Sequence, residues 1–435
     1  MEHVNFNEFT PSNLEEWKAI ATKELKGKSY EDVLVKFTED NIPVEALYNS
    51  ENSPKNEISL SEFPYTRGVK NDNSWKINED IYFATPIEGN KKALKALAGG
   101  ANSVTFIGEI FSNNDAEQLL NNIMLDIIDA YYVLNNEGYA FVSEYFAKNY
   151  EKINLTGGFL MEEISSKNLY QSPLFSYYNI NGYSFNNNGA TTVQEIALCL
   201  AKANELSHQL NQNGLNIDEA SALIKFSLGC SPNYFEEIAK IRTLRTLWSN
   251  VVDAYKPQHA CSRVAYIMNK TSSFYHAGLD INNNILRNTT QAMSAVLGGC
   301  NALTVSPHNF DDNNDFALRV ARNIQLILQE EAYFNKVSDP SGGAYFVEYL
   351  TEQLCEKSWA LFQAIETKGG FSSFQKNGDL DKLLNESLSL KKHAVEQKEK
   401  TVLGVNKHPN ANDKTPINTN KNHLTSFLEK QTKAI

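Results

Sequence analysis

Short apolar runs alternate with longer amphipathic stretches from about residue 75 to residue 390, and this alternation limits the folds open to the chain. Six of the runs are predicted strands, at 104–107, 155–160, 176–180, 224–228, 264–268 and 302–305. The stretches between them include four predicted helices, at 116–134, 193–212, 234–255 and 284–297. Repeated strand–helix units with short loops are typical of a parallel sheet. Their number favours a closed (β/α)8 barrel over an open sheet, although six predicted strands are two short of eight.

The segment from Asp339 to Phe371 joins a turn, through a short aromatic and β-branched run, to a long helix. The turn is Asp339-Pro340-Ser341-Gly342-Gly343, where proline fixes φ and glycine allows positive φ. Apolar residues then recur at roughly helical spacing as far as Ile365, and Gly369-Gly370 marks the end of the helix. The segment therefore predicts a packed helix near the C-terminus.

Three parts are predicted along the chain. Residues 1–60 form an N-terminal arm with one amphipathic helix capped near Asn13, whose apolar side chains are Leu14, Trp17, Ile20, Ala21 and Leu25. Residues 61–390 form the barrel, and residues 391–435 form a closing segment and a polar, flexible tail with a short helix at 424–428. We expect the arm to contact a partner, because an amphipathic helix without a sheet of its own needs a surface that buries its apolar stripe.

The chain is acidic, with a formal net charge of −12 and a pI near 5.3. This balance offers no basic patch for nucleic acid or an anionic membrane. The N-terminus has no signal-peptide pattern and no apolar run approaches membrane-spanning length, so we expect a cytoplasmic protein. The cysteines are odd in number and form no CxxC pair, which predicts buried free thiols at Cys199, Cys230, Cys261, Cys300 and Cys355.

Ordered motifs run along almost the whole chain. They are Pro64-Tyr65-Thr66-Arg67-Gly68, Asn181-Gly182-Tyr183, EEIAKIRTLRTLW at 236–248, LRVARNIQLILQEE at 318–331, the segment 339–371 and Leu403-Gly404-Val405-Asn406-Lys407. In wording and order they closely resemble motifs of the methylmalonyl-CoA mutases. The resemblance implies a barrel enzyme that splits the cobalt–carbon bond of adenosylcobalamin and uses the radical to interconvert succinyl-CoA and methylmalonyl-CoA.

Cobalamin binding, as the resemblance implies, needs a histidine in a DxHxxG motif. None of the eight histidines of this chain has an aspartate two residues before it. The chain also ends about where the cobalamin-binding domain would begin. We therefore expect no cofactor-binding residue and no metal ligand here, with adenosylcobalamin bound by a partner subunit.

Positions that match the family's catalytic motifs carry other residues. Ser184 stands where the resemblance places a histidine that hydrogen-bonds the thioester carbonyl, and serine has no imidazole. Tyr183 is a remnant of that pocket. Counting from Trp75, Asp80 replaces a tyrosine that lies near the cobalt, and Asn78 replaces an arginine. No catalytic residue is therefore expected.

A strand of alternating serines, which the resemblance implies lets the CoA chain thread the barrel, corresponds here to Tyr177, Asn179 and Asn181. We expect an inward tyrosine to fill the bore, since barrel interiors are normally packed with side chains. The barrel is therefore predicted to be plugged.

Other polar features have simpler explanations. His276 is predicted to be an ordinary turn histidine, and His308 follows a strand, where barrel enzymes place active residues, but lacks partners for chemistry. Gly99-Gly100 and Gly298-Gly299 are predicted helix ends and not phosphate-binding loops. Glu162-Glu163 is not expected to form a catalytic acid pair, because adjacent strand residues face opposite ways. The two side chains are predicted to lie on a solvated face.

The sequence is thus interpreted as the small, non-catalytic subunit of a heterodimeric, adenosylcobalamin-dependent methylmalonyl-CoA mutase, whose large catalytic subunit binds the CoA-thioester substrate. Two alternatives stay open. One is a catalytically competent acyl-CoA mutase barrel that uses a separate cobalamin-binding chain. The other is a stand-alone scaffold or binding protein.

Overall fold

The computed structural model describes residues 13–54, 60–150, 153–164, 169–410 and 423–428. The N-terminal arm begins with helix α1 (Leu14–Glu24) and helix α2 (Tyr30–Leu34). A two-stranded antiparallel hairpin follows, made of β1 (Lys36–Phe37) and β2 (Pro43–Val44). Asn13 caps α1 by accepting a hydrogen bond from the Glu16 amide, and the Glu16 side chain reaches back to the Asn13 amide. The predicted arm helix is confirmed, although residues 1–12 and 55–59 lie outside the described parts.

Eight parallel strands close into a barrel in chain order, and the last strand pairs with the first. The strands are β3 (Lys76–Tyr82), β4 (Ser103–Ile107), β5 (Asp129–Val133), β6 (Thr156–Met161), β7 (Phe175–Asn181), β8 (Ile224–Cys230), β9 (Ile267–Thr271) and β10 (Ala302–Thr304). The predicted (β/α)8 fold is confirmed. All strand amino ends meet at one mouth of the barrel and all carboxyl ends at the other.

Helices surround the barrel and cover its outer, apolar face. They are α3 (Pro86–Ala98), α4 (Asn113–Leu120), α5 (Asn136–Asn149), α6 (Gly182–Asn187), α7 (Thr192–Gln212), α8 (Ile217–Ala222), α9 (Tyr234–Ala254), α10 (Asn283–Leu297), α11 (Asp315–Leu326), α12 (Tyr345–Thr367), α13 (Gly370–Lys376) and α14 (Asp379–Glu396). A π-helical turn, Ile327–Glu331, follows α11.

Two predictions along the barrel are wrong. The helix predicted over 116–134 ends at Leu120 as α4, and the apolar run after it is strand β5, which pairs with β4 and β6. The strand predicted over 264–268 begins three residues later, at Ile267, because Ala260–Arg263 is a 3-10 turn. Helix α12 begins at Tyr345, so the predicted aromatic run is its first turn; Gly369, with φ +96°, follows its end.

Three of the family-like motifs meet at one buried carboxylate. Asp339 accepts hydrogen bonds from Arg67 Nε at 2.6 Å and from the buried guanidinium of Arg242, which also binds Glu348 at 2.6 Å. Burial would lower the pKa of Arg242, but Asp339 and Glu348 outweigh it and raise that pKa. The motifs around residues 67, 242 and 339 therefore act here as a structural joint that fixes the turn before α12.

The closing segment packs against the barrel. Asn406 donates to the Val395 carbonyl at 2.9 Å, and Leu424 is buried beside Phe274 and Tyr275. Within the predicted helix at 424–428, the residues from 426 to 428 are helical. The predicted flexible tail falls mostly on residues 411–422, outside the described parts.

The described cysteines are all free, as predicted. Cys199, Cys230 and Cys300 are buried, and Cys355 is half-buried. Cys261 is exposed, so the prediction that every thiol is buried is wrong there, because Cys261 lies in the 3-10 turn before β9 rather than in the core.

Candidate functional site

An ion pair lies at the carboxyl mouth, where barrel enzymes place their chemistry. Asp80 of β3 and Lys270 of β9 are joined at 2.6 Å between Oδ2 and Nζ. The ammonium group also lies 4.9 Å from the ring centre of Tyr183 and 3.5 Å from the Tyr82 hydroxyl. Burial would lower the pKa of Lys270, but Asp80 and the two phenols outweigh it, so this pKa lies well above its usual value. Lys270 is therefore a bound cation and not a base.

Asn78 lies two residues before Asp80 on β3, deeper in the barrel, and both polar atoms of its side chain are hydrogen-bonded. Its amide nitrogen donates to Thr105 Oγ1 at 2.9 Å and to Thr304 Oγ1 at 2.7 Å. Its carbonyl oxygen accepts from Ser103 Oγ at 2.8 Å. These bonds join β3 to its two neighbouring strands, β4 and β10. Asn78 therefore has a structural role and offers no free donor to an anionic substrate.

Ser184 does not join this cluster. It lies in the first turn of α6, where its amide donates to the Asn181 cap at 3.1 Å. Its side chain is exposed and lines an outer cavity of about 740 Å³ with Lys202 and Glu205. The structure thus brings Tyr183 to Lys270, the partner of Asp80, while the Ser184 side chain lines a different cavity.

An apolar layer interrupts the bore between its two mouths. Tyr131, Leu160, Met268 and Ala302 form one buried cluster, with Tyr266 against it. Tyr131 is fully buried, and the other three members are at most 8% exposed. They come from β5, β6, β9 and β10, so the layer reaches across the barrel. The described interior is therefore occluded at this level.

The prediction that Tyr177 fills the bore is wrong. Its ring packs against Phe159 and Phe175 in the outer core, and its hydroxyl donates to the Tyr170 carbonyl. The amides of Tyr177 and Tyr178 both donate to the Leu223 carbonyl, an irregularity that interrupts the alternation of β7. Asn179 accepts from Ser227 Oγ of β8 at 2.7 Å. The buried side chains that fill the bore come from β5, β6, β9 and β10 and not from β7.

The two histidines that follow barrel strands are enclosed. His276 is fully buried, its Nε2 lies 2.9 Å from Asn288 Oδ1, and burial lowers its pKa to about 3. Burial also lowers the pKa of His308, whose ring packs against Phe316. Both are structural side chains in this packing and are not presented to the mouth.

The two adjacent glutamates and the two glycine pairs lie as predicted. Glu162 and Glu163 are exposed, and Glu162 is bound by Lys202 at 2.6 Å and by Asn181 at 2.9 Å. Each glycine pair follows a helix end, with positive φ at Gly100 and Gly299.

Three residues that line the barrel interior were not identified from the sequence. Lys270 and Lys225 lie in strands at inward positions, and Tyr131 lies in a strand that was predicted as helix. A lysine within an apolar run, as in Ile224-Lys225-Phe226, is the signal that could have been used. A charge in a buried strand must be paired or must face a cavity.

The described carboxyl mouth does not fit a corrinoid cofactor. Its charged groups, Asp80 and Lys270, are paired with each other, and its neighbouring histidines are buried. Among the described residues no cluster of three or more histidine, cysteine or acidic side chains could hold a metal ion. The described helices also include none with the length and apolar character needed to span a bilayer.

The fold and the interior define the class of this protein, a (β/α)8 barrel with a packed bore. A model of the methylmalonyl-CoA mutase family matches residues 141–435. The chain is 31% identical to the methylmalonyl-CoA mutase small subunit of Porphyromonas gingivalis, over 93% of its own length and 71% of that protein. It therefore belongs to the methylmalonyl-CoA mutase family.

Two further relatives carry the name methylmalonyl-CoA mutase. The Rhizobium meliloti protein is 30% identical over 92% of this chain, and the mitochondrial protein of Homo sapiens is 27% identical over 90%. The matched parts cover 64% and 60% of those proteins, so this chain spans less than two thirds of their length.

Proposed function

We propose that this chain is the small, non-catalytic subunit of a heterodimeric methylmalonyl-CoA mutase of the cytoplasm. A large catalytic subunit would bind adenosylcobalamin and the CoA thioester and interconvert succinyl-CoA and methylmalonyl-CoA. The similarity to a protein named as a mutase small subunit supports this proposal. The observation that carries it is the buried layer of Tyr131, Leu160, Met268 and Ala302, which leaves no passage for a thioester along the bore.

The carboxyl mouth supports the same proposal. Asp80 and Lys270 neutralise each other, and the exposed Ser184 side chain lines a different cavity. A radical mutase needs a water-free space in which substrate and cofactor meet, and side chains occupy the corresponding space here. These features disfavour the alternative of a competent barrel served by a separate cobalamin-binding chain.

Helix α1 offers a surface for the large subunit. Within the described residues none of its side chains is buried, and Ile20 is 65% exposed. The segment after it is fastened to the barrel: Tyr349 donates to the Pro43 carbonyl at 3.0 Å, and Asp40 accepts from the Val193 amide at 3.0 Å. Within the arm, residues 1–60, the exposure of α1 supports it as the surface for the partner, while the hairpin packs on the barrel.

Co-expression with the large subunit tests the proposal. We expect a one-to-one complex whose mutase activity requires adenosylcobalamin, and no activity from this chain alone. Activity from this chain with only a small cobalamin-binding protein would show a competent barrel. A stable chain that never associates with the large subunit would favour the stand-alone scaffold.

A matched pair of variants tests the role of α1. Ile20→Asp places a charge on its exposed stripe and is expected to weaken the complex by about tenfold or more, since burying an unpaired charge at an interface is unfavourable. Leu390→Asp on α14, where the leucine is 71% exposed, is the control and should leave the affinity unchanged. Equal affinities for both variants would place the partner elsewhere.

A further inference from the structure

A cavity of about 830 Å³ lies at the amino mouth of the barrel. Its lining includes residues at the start of five strands, namely Lys76, Asp129, Thr156, Ser176 and Lys225. Trp75, Leu174 and Ile224 add an apolar wall. Its size is that of a small-molecule site, because such pockets commonly measure a few hundred to about 1,000 Å³. The apolar layer around Tyr131 separates it from the carboxyl mouth.

Lys225 lines the inner wall of this cavity and is only 7% exposed. Its Nζ donates to the Gly157 carbonyl at 2.8 Å and to the Tyr131 hydroxyl at 3.3 Å. The nitrogen also lies 4.6 Å and 4.2 Å from the ring centres of Tyr131 and Tyr266. Among the described residues no carboxylate lies within ion-pair distance of the Lys225 ammonium group. Asp129, on the neighbouring wall of the cavity, is paired with Lys76 at 3.1 Å.

A second lysine makes the cavity cationic. Lys70 donates to the carbonyls of Ser74 and Cys300 at 2.7 Å and 2.9 Å, and the described residues place no carboxylate within ion-pair distance of it. Lys76 and Asp129 neutralise each other, while Asp218 accepts from the amides of the loop before the 3-10 turn. In a chain of net charge −12, the Lys70 ammonium without a carboxylate partner in this cavity favours an anionic ligand.

We propose that this cavity binds a small anionic aldehyde or ketone and that Lys225 Nζ forms an imine with its carbonyl carbon. Lys70, which lines the same cavity, attracts the anionic ligand into it, and the apolar wall packs against the remainder of the ligand. The site lies at the opposite mouth from the ion pair of Asp80 and Lys270. The inference does not depend on the proposed function.

The chemistry balances with the ligand alone. The lone pair of neutral Lys225 attacks the carbonyl carbon, the C=O π bond breaks, and one of the two nitrogen protons moves to the oxygen to give a carbinolamine. Loss of the nitrogen proton and of hydroxide, together one water, leaves the C=N bond. No oxidant or reductant takes part, and hydrolysis of the imine returns both partners.

The environment supplies the neutral amine that this attack needs. Burial lowers the pKa of Lys225 to about 7, and the opposing effect of Asp129 is smaller. The groups that face Lys225 are Asp129 and Tyr131 on β5, Tyr266 before β9 and, through Asp129, Lys76 on β3. An exposed lysine has a pKa near 10.4 and is almost fully protonated at neutral pH.

Reductive trapping on the full chain tests the proposal. The protein is incubated near pH 7 with limiting glyoxylate and cyanoborohydride, and the modified lysines are identified by peptide mapping with mass spectrometry. We expect Lys225 to be modified at least about tenfold faster than exposed lysines, because a larger fraction of its amine is neutral. Lys270, paired with Asp80 at the other mouth, is the internal control and should stay unmodified.

Variants and an uncharged aldehyde distinguish the role of Lys225 from that of Lys70. Lys70→Met should slow trapping of glyoxylate but not of acetaldehyde, which carries no charge, while Lys225→Met should remove the fast reaction with both. Circular dichroism checks that each variant is folded. Modification spread evenly over exposed lysines, or a Lys225 that stays unmodified in the native chain, overturns the proposal without requiring any variant to fold.

Discussion

The two mouths of the barrel each hold an enclosed lysine, and the lysines differ in what compensates for their burial. Lys270 at the carboxyl mouth has the Asp80 carboxylate at 2.6 Å, so its pKa is raised. Lys225 at the amino mouth has a carbonyl, a hydroxyl and two aromatic rings, so burial lowers its pKa to about 7. One carboxylate decides whether a buried lysine is an inert cation or a nucleophile. The mouth that barrel enzymes use is neutralised here, and the opposite mouth keeps both a cavity and an uncompensated amine.

The comparison depends on the apolar layer that separates the mouths. Leu160→Ala should lower the free energy of unfolding by about 3 kcal/mol, because truncating a buried leucine leaves a cavity. Urea unfolding measures it. Met268→Leu, which conserves volume, is the control and should lower the stability by less than about 1.5 kcal/mol. A loss as small as that of the control would mean that the layer is loosely packed and that the mouths communicate.

Asp80→Asn sharpens the contrast at the carboxyl mouth. It leaves the half-buried Lys270 without its carboxylate and should lower the free energy of unfolding at neutral pH by about 2 kcal/mol. Because the folded pKa of Lys270 is raised, the stabilisation from the pair is present below the unfolded pKa and is lost as pH rises through the folded value.

Adding Lys270→Met to Asp80→Asn is the control for that experiment. The double variant removes the orphaned charge and should recover part of the lost stability in the same urea titration. If it is as unstable as the single variant, the loss comes from packing and not from the ion pair.

Lys225→Met tests the amino mouth by pH. Between pH 7 and 10 the unfolded chain binds a proton at this lysine that the folded chain has released, so this group makes native stability rise with pH. The variant lacks that slope. Its stability relative to the native chain should therefore be greatest near pH 6 and fall by roughly 2 kcal/mol by about pH 9. A difference independent of pH would show that the pKa of Lys225 is ordinary.

Ser184→His has the smallest expected effect. It places at an exposed position the histidine that the resemblance implies there, so the stability should change by less than about 0.5 kcal/mol. The chain alone should still show no mutase activity, because the apolar layer is intact. Ser184→Ala is the matched control, and activity in the histidine variant alone would contradict the occluded barrel.

Sequence reasoning reached the barrel through strands with clear apolar runs and missed two that lack them. In β3, inward Asn78 and Asp80 alternate with outward Ile77 and Ile81. The strand therefore lacks the continuous apolar run by which the other strands were predicted. In β5, the apolar periodicity of α4 continues into residues 129–133, and only pairing with β4 and β6 fixes an extended backbone there.

The sequence by itself determined the family and the barrel, because ordered motifs and strand–helix periodicity are local properties. That Asp80, Asn78 and Ser184 replace catalytic residues stays a prediction from the resemblance. Tertiary structure decided what closes the bore. The irregularity in β7 turned Tyr177 outward, while strands far apart in the chain brought Tyr131, Leu160 and Met268 together. It also decided which lysine received a carboxylate, since that depends on neighbours up to 190 residues away, as for Lys270 and Asp80.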